Sequence, residues 1–494
     1  MSLTRKKSLA SLLNQASRSD LKRTLTARSL IALGIGAIIG AGLFVRTAAA
    51  SAEAAGPSVI LSFIVGAIGC TFAGLCYAEF AAMIPIAGSA YTYSYTTMGE
   101  FAAWTIGWAL ILEYAMGAAT VAISWSEYLN KLLNGAIPFE WCHSPMQVSD
   151  AGVRGILNAP ALVILLLITA LLVKGTQESA SVNAVIVAVK VTIVIVFIAL
   201  GWRFINPANH TPFFIPAGTP GHEGIMQHGF GGMLRGAGIV FFAFIGFDAV
   251  STAAQETKDP GRDMPKGILG SLAICTVLYI LFGFVLTGIG NWTEFAKAGK
   301  EASVAYAIQN HMPGFGWLAT AVTVAILFGF SSVILVMLLG QSRVFYSMAT
   351  DGLLPKLFSD VHKTFRTPYK CNITLFFFVG ALAGLLPGEL LGDLTSIGTL
   401  FAFVLVSIGI WIMRRKEPGL HRPFRTPLVP LVPILGAIVC STMIVSLDAY
   451  TQLTALGWML VGFVVYFLYS RRHSKLNGGD PELAGAGAQV DVAK

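Results

Sequence analysis

The chain has 494 residues, 55% of them hydrophobic and 12% charged, with a mean hydropathy of +0.72. These proportions exclude a water-soluble globular domain and leave an integral membrane protein. The formal net charge of +8 does not point to nucleic acid, because the basic residues gather in the segments on one side of the apolar runs, which signals orientation.

Residues 1–28 are polar and basic, with no short apolar core or cleavage site, and are expected to form a retained cytoplasmic tail. Beyond them come roughly twelve apolar runs, each about 20 residues long and so sufficient for a hydrocarbon core about 30 Å thick. They begin near Ser29, Pro57, Phe101, Gly155, Ala180, Gly232, Gly267, Phe315, Cys371, Leu390, Leu428 and Leu453. With both termini cytoplasmic, Arg5, Lys6, Lys7, Lys258, Lys356, Arg414, Arg415, Arg471 and Arg472 all fall on the inner side. The longest outer connections, near 134–158, 203–231 and 290–314, are too short for a separate domain. Asn209-His210-Thr211 and Asn291-Trp292-Thr293 match glycosylation acceptors in two of them, a triplet that also occurs by chance. The six cysteines are scattered without disulfide or zinc spacing. The tail after Lys475 is rich in Gly and Ala and is expected to lack structure.

Two of the runs are interrupted. The first carries Gly34, Gly36, Gly40 and Gly42 within GIGAIIGAGLF at 34–44, and the sixth carries a glycine among aromatics and then a carboxylate, FFAFIGFD at 241–248. Broken backbone at membrane depth is tolerated only where it is buried in protein or lines a cavity. Each broken run opens a set of five, at 29–203 and 232–413, as an inverted five-plus-five repeat requires, and such breaks mark the binding centre of a transporter. Runs eleven and twelve, at 426–471, fall outside the repeat, and 472–494 forms a second cytoplasmic tail.

GIGAIIGAGLFV at 34–45, FFAFIGFDAVSTAAQETKDPGRDMPKGI at 241–268 and GQSRVFYSMATDGLLP at 340–355 resemble the amino acid–polyamine–organocation (APC) superfamily, and within it the cationic amino acid transporters. The likeness runs from about Leu25 to Arg472. It implies an all-α fold of about twelve membrane helices, with helices one and six broken, and secondary transport of amino acids, commonly linked to protons rather than sodium. No metal or cofactor is implied.

An amino acid presents a carboxylate and an ammonium group, so its site needs donors on one side and acceptors on the other. Where the first helix resumes after Ile39, Gly40, Ala41 and Gly42, free N–H groups and the positive dipole end suit the carboxylate. The alternative reading of these glycines is tight helix packing. Many relatives carry a hydroxyl residue where this chain has Ala41, so a contact there must use the backbone. The resemblance assigns carbonyls of Phe242, Ala243 and Ile245 to the ammonium group, with Phe244 or Phe247 packing over the substrate unless they serve helix packing alone.

Three ionisable residues stand at membrane depth, Glu113, Lys190 and Asp248, where each is expensive and therefore a functional candidate. Lys190, the only charge in VIVAVKVTIVIV, resembles the lysine that in proton-linked members replaces a metal ion bridging helices one, five and eight. It is expected to reach carbonyls of the first helix and Ser331 or Ser332, as a proton carrier or as a permanently charged pin. Glu113 and Asp248 are expected near the substrate's side chain, where negative charge favours Lys, Arg or ornithine; the alternative is simple mutual satisfaction. QETKDPGRDMP at 255–265 and Arg343 are candidates for a cytoplasmic gate or for plain positive-inside anchoring.

The expected function is a proton-coupled, sodium-independent L-amino acid transporter of the plasma membrane, working by alternating access. An amino acid or amino acid:polyamine exchanger on the same fold is the alternative, and a nutrient sensor lacks any appended signalling domain. No nucleotide loop, metal spacing or nucleophile arrangement supports an enzyme. Cationic or neutral preference and oligomeric state stay open.

Overall fold

The computed structural model describes residues 5–7, 23, 25–84, 89–149, 151–175, 180–297, 304–365 and 367–477. Most of the expected amino-terminal tail, and the Gly/Ala-rich tail beyond residue 477, lie outside the described residues.

Among the described residues the chain is helical, with two isolated β-bridges and no strand. The main helices are α1 (Ala27–Ile38), α2 (Val59–Met83), α3 (Glu100–Leu132), α4 (Ala159–Lys174), α5 (Ala180–Gly201) and α6 (Gly229–Val240). They are followed by α7 (Pro260–Ile289), α8 (Gly316–Thr350), α9 (Tyr369–Leu385), α10 (Gly388–Lys416), α11 (Leu431–Ser446) and α12 (Ala449–Val465). Among the described residues eight helical stretches are long and apolar enough to cross a membrane, and α1, α4, α9 and α11 are shorter apolar helices.

Local chemistry sets the ends. Asp259 caps α7 by accepting from the Arg262 amide with Pro260 in the first turn, and Asn158 caps α4 through the Ala161 amide. Both place an acceptor where an N–H has no helical partner. Gly175, with φ +77, stops α4 in a left-handed conformation.

Two groups of helices pack together, α1, α2, α6 and α7 in one and α3, α4, α8 and α9 in the other. α5 touches α1, α7 and α8, and α10 lies against α2, α3 and α11, so these two join the groups. Leucine and valine on α4 and α12, such as Leu166, Leu167, Leu456 and Leu460, are more than half exposed, the outward apolar surface expected of helices facing lipid. Both described chain ends lie on one face. The Glu100 amide donates to the Arg5 carbonyl, and Ser474 Oγ donates to the Glu100 carboxylate. We refer to this as the terminal face.

Candidate functional site

Both interrupted runs break. α1 ends where Ile39 turns to an extended ψ of 106°, and winding resumes at Ala41, so that Gly40 supplies the carbonyl for Leu43 and Phe44 at 3.2 and 3.4 Å. The turn that follows, Gly42–Arg46, is π-helical. α6 tightens into a 3-10 turn over Phe241–Phe244, opens at Ile245 with ψ 136°, crosses Gly246 at φ +115, and rewinds from Asp248 to Glu256. Only glycine tolerates that φ without strain. α1 and its continuation therefore present first-turn N–H groups beside the unwound carbonyls of α6.

The breaks touch backbone to backbone. A side chain on Gly42 would run into the backbone of Ala243, and one on Gly246 would come within 2.9 Å of the carbonyl of Ala37. Tyr279 of α7 ties them together, its hydroxyl lying 3.0 Å from the Ile38 carbonyl and 2.9 Å from the Ala243 carbonyl. Ile39, Ala41, Phe242, Ala243, Ile245 and Asp248 are all buried, so the meeting point is shut off from solvent on both sides. Phe244 packs between Phe63 and Tyr279, and Phe247 between Tyr77 and Phe403, so both rings are held in helix packing. Tyr279 was not singled out from the sequence; its signal was a lone phenol in the apolar stretch of α7.

Lys190 of α5 is 3% exposed. Its ammonium donates to the Gly36 carbonyl of α1 at 3.0 Å and to Ser332 Oγ of α8 at 3.3 Å. Ser331 Oγ donates instead to its own helix at Leu327. Gly329 makes room for the lysine stem, since a Cβ there would meet Lys190 Cε at 2.9 Å.

Glu113 and Asp248 face each other in the core, both fully buried. Tyr114 donates to Asp248 Oδ2 at 2.6 Å, while Asp248 Oδ1 and both Glu113 oxygens have no partner of regular hydrogen-bond geometry. Tyr77 and Tyr93 bring further buried hydroxyls to the same cluster. Glu113 and Tyr114 sit in a π-helical turn, Leu112–Met116, a widening of the α-helix that recurs at functional sites. Nothing in local composition announced that turn. The cluster lies on the terminal-face side of the α6 break, two residues past Gly246.

Ion pairs close the molecule on either side of the breaks. Away from the termini, Arg46 in the continuation of α1 pairs with Asp393 of α10, and the Tyr128 hydroxyl donates to the Phe44 carbonyl at 3.2 Å. On the terminal face, Lys7 pairs with Asp351 at 2.5 Å, Tyr91 donates to the same carboxylate at 2.7 Å, and Leu25 bridges to Thr257. Glu79 of α2 receives Arg414 through two bonds of 2.8 Å and also Arg422. Within the stretch 255–265, expected as gate or anchor, Thr257 takes part in this closure through its bridge to Leu25. Arg343 interacts with Glu256 without a direct ion pair, and the observed clasp uses Lys7 and Asp351. The Asn209 amide is likewise occupied, donating to the Gly288 and Ile289 carbonyls at 2.8 and 3.3 Å.

The profile of the Amino acid permease family matches residues 25–470. The chain is similar to the branched-chain amino acid permease BcaP of Bacillus subtilis (strain 168), 43% identical over an alignment of 485 residues that covers 96% of this chain and 99% of that one. It is similar to the methylthioribose transporter of the same organism, 42% identical over 479 residues, again 96% and 99% of the two chains. It also resembles the vacuolar cationic amino acid transporter 2 of Arabidopsis thaliana, 34% identical over 84% of this chain and 64% of the other.

Proposed function

Because the chain belongs to the amino acid permease family, we propose that it carries L-amino acids across the cell membrane as a proton-coupled, sodium-independent secondary transporter. The terminal face is cytoplasmic in this reading, as the positive-inside rule requires of the face holding Lys356, Arg414, Arg415 and Arg472. The five-plus-five repeat supplies the two broken helices, and the zwitterion is held between first-turn amides at Gly40–Gly42 and unwound carbonyls at Phe242–Ile245.

The observation that carries the coupling is the placement of Lys190. Its ammonium joins α1, α5 and α8 through Gly36 and Ser332, the junction at which sodium-linked relatives of this fold hold a metal ion. A proton leaving and returning to one ammonium changes the bonding of all three helices. Hydrogen bonds from a charged donor contribute about 1.5–3 kcal/mol each, enough to bias two conformations that differ by a few kcal/mol.

The closure on both sides supports alternating access. With Arg46–Asp393 and Lys7–Asp351 both engaged, the breaks are reached from neither side, as in an occluded intermediate. Opening either face requires one pair to part. Relatives named for branched-chain amino acids and for methylthioribose stand at comparable similarity, 43% and 42%, so a few side chains around one backbone cradle set the cargo. In our reading Glu113, Tyr114 and Asp248 are among them.

Uptake into proteoliposomes tests the proposal. Acid outside should drive accumulation without sodium and without internal amino acid. A strict requirement for preloaded amino acid would make the protein an exchanger, and a sodium requirement would remove Lys190 from the coupling role. Competition by leucine, lysine and methylthioribose against the transported amino acid ranks the cargo.

A further inference from the structure

A groove of about 810 Å³ opens at the terminal-face end of α7. Arg262, Lys266 and Leu269 line it from the helix, and Pro423 and Phe424 line it from the connection between α10 and α11. Arg262 and Lys266 are exposed and stand one helical turn apart, which puts both cations on one flank. Among the described residues neither has a carboxylate partner. Asp259, the acid in the lining, has its carboxylate turned to the Arg262 amide as the helix cap.

Beyond the groove an exposed apolar stripe runs on along α7. From Lys266, steps of three and four residues along α7 lead through Gly270 to Ile274, Val277 and Leu281, which are 42%, 57% and 36% exposed. These side chains form one exposed apolar stripe along the helix. Leu428 and Leu431, at the start of α11, are 72% and 51% exposed. Two unpaired cations stand where the apolar stripe ends, at the depth of lipid headgroups.

We propose that this groove binds an anionic phospholipid of the leaflet on the terminal face, with its phosphate between Arg262 and Lys266 and its acyl chains along Ile274, Val277 and Leu281. Charge complementarity selects the anion, and the continuous stripe selects a lipid over a soluble phosphate. Basic pockets between membrane helices on the cytoplasmic side hold such headgroups by the same balance. The bound lipid bridges α7 to the α10–α11 connection. It does so next to the Leu25–Thr257 bridge, where the chain leaves the rewound half of α6.

Native mass spectrometry of the protein taken from vesicles containing phosphatidylglycerol and phosphatidylcholine tests this. The protein should keep phosphatidylglycerol through detergent exchange, and excess inorganic phosphate should not displace it. Arg262→Gln with Lys266→Gln should weaken retention roughly twenty-five-fold, at about a factor of five for each basic residue near the surface. Arg262→Lys with Lys266→Arg should keep the lipid, and Lys356→Gln with Lys363→Gln, which removes two exposed cations elsewhere on the same face, should leave retention unchanged. Undiminished binding in the first variant, equal loss in the Lys356 and Lys363 variant, or displacement by phosphate would overturn the assignment.

Discussion

Gly42 and Ala243, 201 positions apart in the chain, meet so closely that the place of a Gly42 side chain is already taken by the Ala243 backbone. The glycine therefore has two tasks at one point. It allows two unwound segments to close on each other, and in the proposed transport cycle it leaves peptide groups bare for the substrate once they part.

Gly42→Val follows from that contact. Overpacking of this kind typically costs about 1–3 kcal/mol, and here the obstacle is backbone, which relaxes less than a side chain. The variant should lose uptake and melt at a lower temperature in detergent. Wild-type substrate affinity in this variant would show that the carboxylate does not approach the α1 break.

Lys190→Met removes a charge and leaves the Gly36 carbonyl and Ser332 hydroxyl without their donor. Leaving buried polar groups unpaired costs about 1–3 kcal/mol each, so a modest fall in stability accompanies the functional effect. Uptake should stop responding to an imposed pH gradient while exchange of internal for external amino acid persists. A variant that still follows the gradient would make the lysine a structural pin.

Asp248→Asn tests the buried carboxyl cluster. The Tyr114 hydroxyl still finds an acceptor, so the fold should hold while the negative charge is lost. Transport of lysine should fall more than transport of leucine; equal losses would mean that the carboxylate supports packing alone. Tyr114→Phe strips Asp248 Oδ2 of its donor and should destabilise by about 1–3 kcal/mol.

Arg46→Gln breaks a pair whose members are 5% and 14% exposed. Removing one partner of a buried pair typically costs 3–5 kcal/mol, because the other charge is stranded. Arg46→Gln alone should therefore melt well below wild type, and Arg46→Gln with Asp393→Asn should recover part of the loss. Full additivity of the two substitutions would show that the pair does not act as a unit.

The two breaks were legible because winding is a local property. Glycine at 40 and 246 weakens the helix locally, and the backbone it frees cannot face lipid. Lys190 was legible for the same reason, since a charge in a run of valine and isoleucine must turn inward. The share of Lys7 and Asp351 in closing the terminal face was not legible, because nothing local in the sequence shows that the chain ends fold back against Asp351. The π-helical turn that carries Glu113 and Tyr114 left no mark in composition, as one extra residue in a turn depends on what presses against it.

By itself the sequence determined an all-helical membrane protein, the points at which two of its helices lose their winding, and the ionisable groups obliged to face inward. Hydropathy and backbone freedom belong to each residue wherever it lies. Only the tertiary structure decided that Tyr279 joins both breaks, that Tyr114 holds Asp248, and that Arg46 finds Asp393. Such partners depend on how each helix is rotated and tilted against its neighbours, which packing across the whole bundle sets.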